Sequence, residues 1–147
     1  MYKKTIKYED FNGQQKSLDA YFNLNKSELL KMHMSVKGGF VETVQRIIDA
    51  QDQPSLIKIF EDLIKNSYGV KTPDGIGFVK NSDEIRRLGP GYMTYEDFVA
   101  TDAYSELYFE LATNAEAASE FINKVIPANL AKELAESDAQ ANVQALN

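Results

Sequence analysis

The 147-residue chain has no cysteine, no tryptophan and a single histidine. Without a thiol there is no disulfide, no thiolate nucleophile and no cysteine-ligated zinc or iron–sulfur centre. A histidine base, a histidine metal ligand or a triad histidine would have to be His33. It stands between Met32 and Met34 on an expected helix, without a nucleophile or second ligand nearby, so packing is its expected role. No apolar run nears the roughly 20 residues that span a bilayer, and the N-terminus lacks an apolar signal core. Basic residues are also scarce: 16 Lys and Arg face 22 Asp and Glu, for a net charge of −6. An acidic chain gains nothing from neutralising phosphates, which argues against nucleic acid as a partner. Lys3, Lys4 and Lys7 are too few to make a basic patch and are interrupted by Tyr8-Glu9-Asp10. These absences point to a cytosolic protein that touches neither membrane nor nucleic acid.

The residue patterns that carry common chemistries are missing too. Gly69-Val70-Lys71-Thr72 contains Gly-x-Lys-Thr but not the preceding glycine spacing of a phosphate loop. Gly75-Ile76-Gly77 lacks the third glycine and the βαβ setting of a dinucleotide site. The carboxylates come as sequence neighbours, Glu9-Asp10, Glu61-Asp62, Asp83-Glu84 and Glu96-Asp97. Neighbours on a helix point to different sides, so these are not ready acid–base pairs, and none has the spacing of a calcium loop. No catalytic residue, cofactor or metal site is expected.

What is present is a patterned globular sequence. A hydrophobic share of 44% against 26% charged residues suits one soluble domain with a real core. Ile6 and Tyr8, then Leu18, Ala20 and Phe22, alternate with polar residues around Asn12-Gly13, which predicts a β-hairpin over about residues 3–23. Asn25 three residues before Glu28 predicts a capped helix that presents Leu29, Met32, His33 and Val36 and stops at Gly38-Gly39. Phe40, Val41, Val44, Ile47 and Ile48 make an apolar stripe, and Leu56, Ile57, Phe60, Leu63 and Ile64 repeat its spacing. Two striped helices on a short polar loop predict a central antiparallel helical hairpin, ending at Tyr68-Gly69.

Pro73-Asp74-Gly75 reads as a turn and Gly77 to Lys80 as a short strand or extended arm. Ser82 could cap a helix that Gly89-Pro90-Gly91 breaks. Thr94 with Asp97 resembles a capping box, and stripes follow at Tyr104, Leu107, Tyr108, Leu111 and at Ala118, Phe121, Ile122, Val125, the second after a Thr113-to-Glu116 cap. The expected architecture is therefore mainly α: one helical domain over residues 1–127 with an N-terminal β-hairpin. Residues 128–147 form an alanine-rich tail, a marginal helix or disordered.

Aromatics crowd one region, with Tyr92, Tyr95, Phe98, Tyr104, Tyr108 and Phe109 close in sequence. Helical spacing makes core the default for Phe98, Tyr104 and Tyr108, whereas a contiguous exposed remainder would mark a protein-binding surface. Those six, with Leu130 and Leu134 of the tail, are the candidate partner-binding residues.

Several short segments, in their order and spacing, resemble the tail assembly chaperones of long-tailed, siphovirus-type phages of Gram-positive bacteria. They are Asp10-Phe11-Asn12-Gly13, Tyr21-Phe22-Asn23-Leu24 with Lys26-Ser27-Glu28-Leu29, Gly38-Gly39, Ser67-Tyr68-Gly69-Val70-Lys71 with Asp74-Gly75, Thr101 through Leu107, and Phe121-Ile122-Asn123 before Ile126-Pro127. The resemblance implies a non-enzymatic helper that binds the tape measure protein, keeps it soluble in the host cytoplasm and is left out of the mature virion. The major tail tube protein and self-association are further partners it raises. The alternative is a structural tail or head-completion protein of the virion.

Overall fold

The computed structural model describes residues 1–126 together with 129, 132, 133 and 136. Leu130, Leu134 and most of the expected tail lie outside the described residues.

Strands β1 (Tyr2–Glu9) and β2 (Gln15–Phe22) form the expected hairpin, paired antiparallel from Tyr2 opposite Phe22 to Glu9 opposite Gln15. The loop between them spans five residues, 10–14. Asp10 Oδ1 accepts hydrogen bonds from the backbone amides of Asn12 and Gln14, both at 2.9 Å, and Gly13 takes φ 78°. The alternation places Tyr2, Ile6, Ala20 and Phe22 on the buried face.

Helix α1 (Lys26–Ser35) begins with the predicted capping box, in which Asn25 and Glu28 satisfy each other's backbone amides. Leu29 and His33 are buried on its inner side. Helices α2 (Phe40–Asp49) and α3 (Gln53–Ser67) follow across the short connection 50–52 and contact each other. Asp52 caps α3 and Pro54 occupies its first turn, where a missing amide hydrogen costs nothing.

The fold departs from expectation at Tyr68. A Tyr-Gly pair after a long helix reads as a terminator, but the chain continues directly as strand β3 (Tyr68–Lys71). It pairs with β2 through Tyr21–Gly69 and Phe22–Tyr68, and then with β4 (Phe78–Val79). The sheet is thus four-stranded and antiparallel, in the order β1-β2-β3-β4. The fold is helix-rich but mixed α/β, with a four-stranded sheet where a hairpin alone was expected. Gly69 is needed at this junction, because a Cβ there would lie 2.4 Å from the Phe78 ring.

Four further helices follow: α4 (Ser82–Arg87), α5 (Tyr95–Val99), α6 (Asp102–Thr113) and α7 (Ala115–Val125). The caps are Asn81 for α4, Thr94 for α5 and Asn114 for α7, so two of them sit one residue from the expected Ser82 and Thr113. Helices α6 and α7 pack against β1, and α3 and α5 pack against α6. Phe22, Phe60, Phe98 and Phe121 fill the centre. Phe22 meets Phe121 edge-on at 5.3 Å between centroids, an arrangement that aligns ring edges with ring faces.

Candidate functional site

The six clustered aromatics do not form one surface. Phe98 is fully buried, stacked on Tyr68 at 4.9 Å and 7° and edge-on to Tyr104 at 5.7 Å. It belongs to the core. Tyr95, Tyr104 and Tyr108 are half-buried beside it, with Tyr104 and Tyr108 stacked at 6.0 Å. The Tyr95 and Tyr104 hydroxyls lie close enough to affect each other's ionisation. Burial pushes all three phenols above their ordinary value, and the carboxylate of Glu61 on α3 adds to the rise. Tyr92 lies elsewhere, in a cleft described below. Phe109 is 68% exposed, because the 100° step per helical residue turns it away from Tyr108.

Two concave regions bear on binding. The first, of about 420 Å³, opens where β2 and β3 diverge beyond Tyr21 and Gly69. Leu18, Tyr21, Lys71 and Tyr92 line it, with the Lys71 ammonium 5.0 Å from the centre of the Tyr21 ring. The second, of about 450 Å³, is a mostly apolar groove between α2 and α3, lined by Val36, Phe40, Ile47, Pro54 and Ile59 with Lys58 and Asp62 at its side. Here the expected stripe is rotated: Ile59 is buried and Ile57 is 37% exposed. The spacing alone treats both as equivalent. What selects Ile59 is its place on the groove wall beside α2, which the local pattern does not contain.

His33 is buried 3.7 Å from Glu42 Oε2, under Gly39 at the turn into α2. A Cβ on Gly39 would lie 2.5 Å from the imidazole. Among the described residues no three His, Asp or Glu side chains converge to hold a metal. No described helix is long and apolar enough to cross a membrane.

Sequence reasoning missed two features. Phe11, at the tip of the β1–β2 hairpin, is 81% exposed, and Ile76, in the turn after β3, is 89% exposed. Each is held outward by an aspartate bonded to the backbone of its own turn: Asp10 below Phe11, and Asp74 accepting from the Ile76 amide at 3.0 Å. The Asp-x-x-Gly pattern around Phe11 could have signalled a braced tip.

Exposed apolar tips and an open apolar groove are features that a protein-binding module uses. The chain matches the family model for phage tail assembly chaperones over residues 1–146 and belongs to that family. Comparison with curated proteins and with solved structures returns no match.

Proposed function

We propose that this chaperone binds the tape measure protein of a siphovirus-type phage of a Gram-positive host and keeps it soluble while the tail tube polymerises. It does so in the host cytoplasm without making or breaking a covalent bond, and it is displaced before the virion is complete. The observation that carries this reading is the apolar groove between α2 and α3, an uncovered strip of helical surface in a chain of net charge −6. A long helical client presents repeated apolar stripes that would otherwise associate with one another. Many copies of a small acidic domain could cover those stripes, each holding weakly enough to be released by incoming tube subunits. Tyr95, Tyr104 and Tyr108 at the α3–α6 border, Tyr92, Phe109, and Leu130 and Leu134 of the tail are the remaining proposed contacts. Phe98 drops out of that set as an initial contact because it has no exposed surface.

Co-expression with the tape measure protein tests the proposal. The client should move to the soluble fraction and co-purify with the chain. An insoluble client with no recovered complex would refute it. Mass spectrometry of purified particles separates the virion-component reading, which requires the chain in stoichiometric amount.

A further inference from the structure

We infer that the outer face of α6 is a docking surface for a basic amphipathic helix, with Phe109 as its apolar anchor. The inference deepens the reading above, since it takes the client to be helical, and adds the charge that the client must carry. Asp102, Glu106, Phe109 and Thr113 recur at helical spacing on one side of α6, and all four are exposed. Phe109 is 68% exposed on this face while the opposite side, Ala103, Leu107 and Leu111, is buried. Aromatic side chains are enriched in the cores of protein–protein interfaces, so a ring standing out of an otherwise polar helix face can serve as an anchor.

Charge selects the occupant. Residues 88–123 contain seven carboxylates and not one lysine or arginine. With seven of the chain's 22 acids and none of its 16 bases, this stretch accounts for the whole net charge of −6, and the remainder is close to neutral. Some of the seven are answered from other elements. Lys4 of β1 pairs with Glu110 at 2.9 Å, and Arg86 of α4 acts on Glu96 and Asp97. Among the described residues no cation pairs with Asp102 or Glu106, the two that share the face of Phe109. A second copy of this face would bring like charges together, which opposes self-association through it. A helix with an apolar stripe bordered by lysine or arginine would seat an apolar side chain on Phe109 and its bases on Asp102 and Glu106.

The test uses the full chain and two synthetic amphipathic helices that share one leucine stripe, with lysine borders in one and glutamate borders in the other. Fluorescence anisotropy should show the lysine peptide binding at least ~10-fold more tightly than the glutamate peptide, and weakening as salt rises. Phe109→Ala and Glu106→Lys should each weaken the lysine peptide by at least ~10-fold, and Glu106→Lys should narrow the preference between the two. Both substitutions are at exposed positions, and unchanged thermal melting would show that the fold survives. Equal binding of both peptides, no binding of the lysine peptide, or binding indifferent to both substitutions would overturn the inference. The co-expressed client separates this from the broader proposal. If wild type and Phe109→Ala hold the tape measure protein equally, the α6 face is refuted and the chaperone reading stands. If wild type does not hold it, the chaperone reading falls and the peptide comparison alone decides the α6 face.

Discussion

The Lys80 ammonium lies 2.7 Å from Glu28 Oε2, across 52 residues of sequence. The same ammonium also donates to the backbone carbonyls of Asn23 and Asn66, each at 2.7 Å. Glu28 is equally committed, since its other oxygen accepts from the Asn25 amide in the α1 capping box. One lysine after β4 thus ties together the end of β2, the start of α1 and the last turn of α3.

Replacing Lys80 with methionine keeps the side-chain length and removes all three donors. The acceptors left behind are partly shielded from water, so the expected loss is about 2 kcal/mol, or about 4–8 °C in Tm for a domain of this size. Arginine should not restore it, because its planar fork does not match three acceptors gathered around one point. A Tm for Lys80→Met within about 1 °C of wild type would show that the tie contributes nothing measurable.

The local half of this arrangement was readable and the distant half was not. Asn25 and Glu28 are three residues apart and announce a helix start, whereas nothing near Lys80 announces Glu28. The same division explains the strands. β1 and β2 are joined by a short turn and alternate over eight residues each, so their period is visible. β3 is four residues long, contains a glycine, and is a strand only because Phe22 and Tyr21 lie beside it. Its existence is a tertiary fact. The helical stripes were legible as stripes, but their exact rotation, as with Ile57 and Ile59, depends on which neighbour covers them.

Gly39 should tolerate no side chain. Its φ of 89° with ψ of 144° belongs to a region that only glycine occupies readily. A Cβ would also meet the buried His33 ring and Glu42 Oε2, the latter at 2.3 Å. Gly39→Ala should therefore cost at least about 3 kcal/mol. Gly75 is the control: its φ is 74°, yet a methyl group at its Cα would have nothing within 4 Å. Gly75→Ala should cost only about 1 kcal/mol, the strain of the left-handed backbone alone. Urea midpoints would compare the two, and equal losses would mean that the contact with His33 and Glu42 is not tight.

The aromatic region splits into core and surface, and truncation should expose the split. Phe98→Ala removes a fully buried ring stacked on Tyr68 and should cost about 3–5 kcal/mol. Phe109→Ala should leave stability within about 0.5 kcal/mol. Sequence spacing predicted Phe98 as core from its helical position, but it had no means of turning Phe109 outward from its neighbour Tyr108. A Phe109→Ala loss comparable to that of Phe98→Ala would place both rings in the core and remove the anchor from α6.

Alkaline pH should unfold the protein through Tyr68. Its hydroxyl donates to the Met93 carbonyl at 2.6 Å, and burial, reinforced by the nearby Asp97 charge, pushes its pKa far above 10.0. The folded-state pKa is thus raised above the unfolded one. The associated stability is complete below pH 10, where both states hold the proton, and declines above it, where only the folded state does. The decline from this one group is about 1.4 kcal/mol per pH unit above pH 10. Tyr68→Phe loses the Met93 bond and should be less stable at neutral pH by about 1 kcal/mol, but its stability should then fall more gently with rising pH. Tyr95, Tyr104 and Tyr108, also raised by burial, will keep part of the slope in both proteins. Urea unfolding from neutral pH to beyond pH 10 would show two curves that converge as pH rises. Parallel curves would mean that Tyr68 ionises as easily inside the protein as outside it, and that its burial in the aromatic core carries no such penalty.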